Sequence, residues 1–235
     1  MIPKIIHAAW KDKQVLQNPS PMIVYGWKCL ADMNPTWRFE ISDDADIDAY
    51  LQDKMGSNYE LVADSSVVAK SDIWRLYKMF LEGGLYVDID RYCNVSLDEI
   101  IPEGIKQMLP TCRDHDFSHD VMLTAPGNPI FGNAIDAYLA RRKEGHTNIY
   151  FLGAQTYMHA ITQTIFGRII DTNPGQEMFE QMRNAIDASG IIKTFPEDPP
   201  HQTLLYQGQD APQDWEALKR GFYKEHGLRH WTGEW

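Results

Sequence analysis

The order of its elements predicts that this 235-residue chain folds as an α/β domain with a wound sheet flanked by helices. Two observations carry that expectation. An apolar run at residues 4–10 and an alternating run at 37–41 are each followed by a helical stretch, the strand–helix–strand–helix opening of a wound sheet. A longer helix over residues 65–82 then ends at Gly83-Gly84 and passes into Leu85-Tyr86-Val87-Asp88-Ile89-Asp90, a short β-type run that closes on two carboxylates. Open α/β sheets bind their ligands outside the carboxyl ends of the strands. The aspartate pair therefore stands where a ligand is expected.

Each element has its own signal. Residues 4–10 read as a buried first strand, with Asn18-Pro19-Ser20-Pro21 in the polar loop after it. A helix over 22–33 is stopped by Asn34-Pro35. Trp37-Arg38-Phe39-Glu40-Ile41 alternates as a half-buried strand, and Ser42-Asp43-Asp44 caps the next helix. Further on, 121–124 reads as a strand, 129–142 and 153–166 as helices, and Phe195-Pro196-Glu197-Asp198-Pro199-Pro200 as a loop. Residues 215–223 read as a short helix before an aromatic tail. No repeat, low-complexity stretch or linker divides the chain, so residues 1–235 are expected to form a single domain, long enough for a large core.

Charge and cysteine bound the partners. A formal net charge of -11 excludes a surface that coats nucleic acid. It leaves room for a nucleotide, because a bound divalent cation inverts the local sign. Cys29, Cys93 and Cys112 are odd in number and irregularly spaced, which gives no disulfide or zinc framework and fits a reducing compartment. The amino terminus lacks the apolar core of a signal peptide, and no window reaches the roughly 18 apolar residues that span a bilayer. The expectation is a soluble, cytoplasmic protein with no integral membrane segment, although a piece cut from an anchored parent would read the same.

The chemistry centres on Asp88 and Asp90. Two neighbouring carboxylates that both stay ionised generally need a cation, and oxygen-only ligation suits Mg²⁺ or Mn²⁺. A lone Asp-x-Asp is a weak signal, since strand-end aspartates also cap turns. In the preceding helix Asp72 shares a face with Val68, Leu76 and Phe80, an otherwise apolar stripe. A charge there is costly unless paired, and Arg75 is one turn away. The pair reads either as a salt bridge fixing the helix on the sheet or as a functional pair, and closeness to Asp88 and Asp90 favours the second. Pro126-Gly127-Asn128-Pro129 reads as a plain turn before a helix.

Four stretches occur in order across nearly the whole chain: Ile2-Pro3-Lys4-Ile5-Ile6-His7 with Trp10, Ala69…Ser71-Asp72…Arg75, Gly83-Gly84-Leu85-Tyr86-Val87-Asp88-Ile89-Asp90, and His230…Gly233-Glu234-Trp235. Together they resemble the "DXD" sugar-transferring enzymes of glycosyltransferase family 32, which include fungal mannosyltransferases. The cores of the clostridial glucosylating toxins are more distantly similar, and a virus-encoded member is one reading of the source. The resemblance implies a GT-A type fold, a Rossmann-like wound mixed sheet. It also implies retaining transfer of a hexose from a UDP- or GDP-sugar to a glycan or glycoprotein acceptor, with Mn²⁺ (or Mg²⁺) as cofactor.

Site roles follow from the same resemblance. Asp90 would hold the metal directly, and Asp88 would contact the ribose and reach the metal directly or through water. Asp72 and Arg75 would hold donor-sugar hydroxyls. Trp10 would stack on the nucleobase, the alternative being an ordinary core aromatic. In the tail, His230 would complete the metal shell and Trp235 would contact the β-phosphate, the alternative being a disordered tail. The chain departs from the family where Glu234 replaces the Ser of a terminal Gly-Ser-Trp, which makes Glu234 a rival metal ligand. Leu152-Gly153-Ala154 stands for a Thr-Gly-Pro turn near the sugar–acceptor pocket. The run from Cys112 to Asp120, with His115 and His119 at a spacing that zinc could use, reads as a solvated loop near the acceptor. Two other classes compete. An aspartyl-phosphate phosphohydrolase would carry Thr or Val where Tyr92 stands, and a nucleotide-sugar or glycan-binding protein without catalysis is kept open by Glu234.

Overall fold

The computed structural model describes residues 1–91, 96–112, 116–171, 174–196 and 215–227. The chain enters through β1 (Ile5–Ala9) and, after a 3-10 turn at Val15–Gln17, runs into one helical stretch made of α1 (Pro21–Ile23), a π-helical segment (Val24–Lys28) and α2 (Cys29–Met33). Pro21 sits in the first turn, where its missing N–H is not needed. Asn34 ends the stretch, its side-chain amide donating to the Leu30 carbonyl at 2.9 Å. At Gly26, in the π segment, a Cβ would lie 2.6 Å from the Arg91 carbonyl oxygen, so only glycine lets this helix approach the turn after Asp90 so closely.

Strand β2 (Arg38–Ser42) leads to α3 (Asp44–Met55), opened by a reciprocal capping box between Asp43 and Asp46. A 3-10 segment (Gly56–Leu61) precedes α4 (Val67–Leu81), whose N-cap Ser66 accepts from the Ala69 amide at 3.3 Å. Then come β3 (Gly84–Val87), α5 (Leu97–Ile100), β4 (Gln107–Cys112), β5 (Asp116–Phe117) and β6 (Val121–Thr124). The remaining elements are α6 (Pro129–Lys143), α7 (Ile149–Leu152), α8 (Ala154–Phe166), α9 (Gln176–Asp187), β7 (Ile192–Pro196) and α10 (Trp215–Glu225). No helix among the described residues is long and apolar enough to cross a membrane.

Among the described residues the sheet has seven strands in the order β2-β1-β3-β6-β4-β5, with β7 on the other edge of β4. β1 pairs in parallel with β2 and β3, whereas β6 runs antiparallel between β3 and β4, which makes the sheet mixed. Side chains alternate across it, as a period of two requires. Leu85 and Val87 of β3 face one core with Val121 and Leu123, while Tyr86 faces the other with Met122 and Leu109. The first core includes α1, α2 and α10, and the second the layer of α3, α4, α6, α8 and α9.

A buried polar knot locks β1 to β2 and α4. His7 is fully buried, donates from Nε2 to the Gly83 carbonyl at 3.1 Å and turns Nδ1 toward Glu40 at 3.3 Å. Lys78 pairs with Glu82 at 2.7 Å and reaches Glu40 at 3.7 Å. Burial, with help from Lys78, holds the His7 imidazole below its ordinary pKa.

The structure corrects the sequence reading at two places. Residues 195–196, expected in a loop, end β7, which pairs along the edge of β4. The run expected as a solvated loop contains β5, and Asp116, Phe117 and Ser118 are buried. Both strands are short and rich in polar or proline residues, and pairing with β4 outweighs that local composition.

Gly84 has φ +99° and no room for a side chain, since a Cβ would meet the Ile5 carbonyl oxygen at 2.5 Å. Gly84→Ala is expected to destabilise the fold by about 3 kcal/mol, read as a lower urea midpoint at unchanged m-value.

Candidate functional site

Helix α4 and strand β3 build the centre of the site. The turn at Gly83-Gly84 returns the chain so that the buried face of α4 lies against Tyr86. Arg75, 6% exposed, sends Nη2 to Asp72 Oδ1 at 3.1 Å and Nη1 to Asp88 Oδ1 at 3.2 Å. The same Nη1 donates to the His119 carbonyl at 3.1 Å, and the guanidinium lies over the Tyr86 ring, 4.5 Å from its centroid. Tyr86 completes the ring of contacts by donating its hydroxyl to Asp88 Oδ1. Both Asp88 contacts use Oδ1, and among the described residues nothing donates to Oδ2.

Strand β6 supplies the next wall. The Asp88 amide donates to the Asp120 carbonyl at 2.9 Å, so the antiparallel pairing continues one residue past β3. The Arg91 amide turns back to the Asp88 carbonyl at 3.1 Å, and its side chain pairs with the Asp120 carboxylate. Asp120 also accepts from the Ser118 hydroxyl.

Helix α10 covers the second aspartate. Trp215 Nε1 donates to the Asp90 carbonyl at 3.1 Å, and Lys219 Nζ lies 2.9 Å from Asp90 Oδ2. The Tyr223 hydroxyl reaches that oxygen at 3.5 Å. From the other side Trp27 Nε1 donates to the Ile89 carbonyl at 3.0 Å. Trp10 packs beside this group, with ring centroids 5.2 Å from Phe222 and 5.9 Å from Tyr223.

Gly153, between α7 and α8, closes the floor. A Cβ there would fall 2.6 Å from Asp72 Oδ2 and 3.2 Å from His119 Cε1. The turn is held by Arg141, which donates to the Phe151 carbonyl and, at 2.6 Å, to Thr156 Oγ1. The His119 side chain is 12% exposed, and its Nδ1 stands 3.9 Å from Asp72 Oδ1.

Burial sets the electrostatics. It pushes Asp72 up to about 7 despite the pull of Arg75, with the charge of Asp88 adding to the rise. Asp88 is raised for the same first reason, against Arg75 and with Asp90 contributing. Burial alone would lower Arg75, but Asp88, Tyr86, Asp72 and Asp90 together hold it above its ordinary value, so it stays charged. His119 lies well below its usual value through burial and the neighbouring Arg75, hence it is a neutral imidazole. Asp88 and Asp90 form an oxygen-only donor set at a strand end, each already facing a cationic side chain, and carboxylate oxygens of this kind fit a hard divalent cation. Among the described residues a separate trio, His7, Glu40 and Glu82, has ligand atoms within 4.8 Å of one another, but the Lys78 ammonium already serves both glutamates.

The structure thus brings together Asp72, Arg75 and Asp88, and places Asp90 under α10. Trp10 lies at the end of β1 within the aromatic group of α10. His230, Glu234 and Trp235 lie outside the described residues, as does His115. Residues outside the expected site set complete it: Tyr86, His119, Asp120, Gly153 and Lys219. Tyr86 belongs to the motif-bearing strand, Gly153 to the turn that the resemblance sets near the sugar–acceptor pocket, and His119 and Asp120 to the run expected as a loop near the acceptor, whereas Lys219 had no signal.

Residues 21–105 match the family model described as "Glycosyltransferase sugar-binding region containing DXD motif". Inositol phosphoceramide mannosyltransferase 3 of Schizosaccharomyces pombe is 25% identical over 134 residues, which is 55% of this chain and 35% of that protein. Inositol phosphoceramide mannosyltransferase 2 of the same yeast is 28% identical over 143 residues, 56% of this chain and 36% of that protein. An uncharacterised glycosyltransferase of Acanthamoeba polyphaga mimivirus is 24% identical over 167 residues, covering 69% of this chain and 66% of its own. The chain thus spans about a third of the length of the fungal relatives it matches. Among solved structures, PaToxG Glycosyltransferase superposes with a TM-score of 0.54 at 19% identity, covering 95% of this chain and 85% of the other. That likeness is one of fold, a mixed sheet flanked by helices of the GT-A type.

The raised Asp72 carboxyl has a consequence for stability. Its unfolded counterpart ionises near about 3.9, so the folded chain binds the extra proton between that pH and about 7. This group therefore lowers stability as pH rises through the window. Urea titrations from pH 4 to 8 should show Asp72→Asn gaining stability relative to the parent as pH increases.

Proposed function

With the DXD sugar-binding region of glycosyltransferases carried by residues 21–105, we propose that the chain is a metal-dependent retaining glycosyltransferase. Its donor is a UDP- or GDP-sugar and its acceptor a glycan or glycoprotein, with residues 1–235 acting as one donor-binding domain. The observation that carries this reading is the Arg75 guanidinium joined at once to Asp72 and Asp88 at the carboxyl end of β3. That arrangement puts a fixed cation and two carboxylates beside the strand end where wound sheets bind ligands.

Asp88 and Asp90 are the residues that would hold Mn²⁺ or Mg²⁺, which supplies Lewis-acid stabilisation of the departing diphosphate. Asp72 and Arg75 hold the hydroxyls of the donor sugar, and the missing side chain at Gly153 is what lets that turn pack against Asp72 Oδ2. His119 and Tyr86 keep Arg75 in place. Asp72 is tied to Arg75 and packed beneath Gly153, which leaves it poorly disposed to attack carbon as a nucleophile. A front-face reaction, in which the leaving phosphate takes the acceptor's proton, agrees with that placement. The names of the fungal relatives put a mannosyl donor first among the candidates.

The test is release of nucleoside diphosphate from a panel of UDP- and GDP-sugars, GDP-mannose first, with Mn²⁺ present. Release should fall with chelator and drop at least ~100-fold in Asp90→Ala and in Arg75→Lys, because a buried bidentate site does not accept an ammonium for a guanidinium. Binding without turnover, even with acceptors supplied, would instead mark a sugar-nucleotide-binding protein. Inorganic phosphate released from simple esters would mark a phosphohydrolase.

A further inference from the structure

The imidazole of His7 carries a conflict that the polar knot around it does not resolve. A carbonyl can only accept, so the contact with the Gly83 carbonyl at 3.1 Å puts the proton on Nε2, and in the neutral ring Nδ1 is a bare lone pair. Nδ1 is buried and has no hydrogen-bond partner among the described residues. It stands 3.3 Å from Glu40 Oε2, an ionised carboxylate oxygen that also can only accept. Two acceptors therefore face each other out of water. A proton on Nδ1 would relieve this, but burial and the Lys78 charge oppose it. A metal ion taking both lone pairs would relieve it without a proton.

The surroundings of Nδ1 have the geometry of a ligand set. Zinc binds imidazole and carboxylate at about 2.0–2.2 Å, so two ligands of one tetrahedral ion lie about 3.3 Å apart. His7 Nδ1 and Glu40 Oε2 have that spacing, and one ligand atom each from His7, Glu40 and Glu82 lie within 4.8 Å of one another. A ligating histidine characteristically gives its second ring N–H to a carbonyl or carboxylate, as His7 gives Nε2–H to Gly83. Arg38 holds Glu40 through Oε1 at 2.9 Å, which leaves Oε2 for the ion. The Glu40 and Glu82 side chains are 30% and 31% exposed, which gives an ion a path from solvent to the buried ring. Lys78 Nζ, 2.7 Å from Glu82 and 3.7 Å from Glu40, balances the carboxylates but makes no bond to Nδ1. Its flexible four-carbon stem can carry the ammonium aside.

We propose that His7 Nδ1, Glu40 and Glu82 form a binding site for Zn²⁺ or a like transition-metal ion, with Lys78 as the counter-charge of the metal-free protein. One imidazole with two carboxylates suits an ion of this class better than Mg²⁺. The ion fastens β1 and β2 to the end of α4, where Gly83-Gly84 opens β3, so its effect is on the stability of the fold. It is separate from the cation that Asp88 and Asp90 would hold.

The test is a Zn²⁺ titration of the full chain by calorimetry with Mg²⁺ present throughout. One Zn²⁺ should bind to Asp90→Ala as it does to the parent, which separates this site from the strand-end aspartates. Its affinity should fall at least ~10-fold in Glu40→Gln and in Glu82→Gln, the loss that disturbing even a ligand's supporting partner brings. Lys78→Met should bind Zn²⁺ several-fold tighter, since no ammonium competes for the glutamates. Saturating Zn²⁺ should raise the thermal midpoint of the parent, and raise that of Lys78→Met further. In the unsubstituted protein with ¹⁵N-labelled histidine, one neutral imidazole should shift its Nδ1 signal on adding Zn²⁺ while keeping the proton on Nε2. The proposal is overturned if no histidine Nδ1 signal moves at saturating Zn²⁺. It is also overturned if both Gln variants bind Zn²⁺ as the parent does, if Asp90→Ala abolishes all Zn²⁺ binding, or if Lys78→Met binds no tighter.

Discussion

The guanidinium of Arg75, laid over the Tyr86 ring and bonded to Asp72, Asp88 and the His119 carbonyl, ties helix α4, strand β3 and the approach to β6 to one point. Each partner depends on the others. The buried Asp72 carboxyl, already raised to about 7, would be harder still to ionise without the cation, and the cation would be untenable without its carboxylates. Removing one member of such a set costs about 3–5 kcal/mol because a bare charge stays behind. The planar fork also fixes direction, since it reaches the two carboxylates and a carbonyl at once, which a lysine cannot do. The rigidity of the site is therefore a property of this cluster more than of any loop around it.

Much of this was legible in the chain. Gly83-Gly84 before an apolar run ending in Asp88 and Asp90 announced a strand-end site, and a carboxylate on the apolar stripe of α4 announced a partner for Arg75. Both signals are local, which is why they survive in one sequence. The sequence places His119 and Gly153 only roughly, near the acceptor, with no signal of their contact with Asp72. They enter through β6 and the α7–α8 turn, and their value comes from distances to Asp72 that no spacing encodes. Lys219 reads as an ordinary helical lysine until α10 is docked. The run ending at Asp120 misled for a related reason: its polar composition suits solvent, yet pairing of β5 with β4 and the bonds to Arg75 and Arg91 draw it inward.

The mixed sheet is what makes the convergence possible. Parallel pairing of β1 with β3 puts Trp10 and Asp88 at the same edge, because both follow the carboxyl ends of their strands. Antiparallel pairing of β6 then delivers the start of that strand, with Asp120 and His119 just before it, to the same place. A wholly parallel arrangement would have brought the end of the strand instead, and with it Ala125 and Pro126. The reversal of one strand thus selects which residues wall the site.

The long reach between Asp90 and α10 also bears on how the molecule is made. The Trp215 bond to the Asp90 carbonyl closes a span of 125 residues, whereas Asp72, Arg75 and Asp88 lie within one helix and the strand that follows it. At ribosomal speeds of about 5–20 residues per second, the acidic strand end waits on the order of ten seconds for its covering helix. In that interval Arg75 can already be housed while Asp90 still lacks its contacts with α10. The Arg75 half of the site is thus available to the nascent chain early, and the half that α10 completes closes only after a further 125 residues have been made.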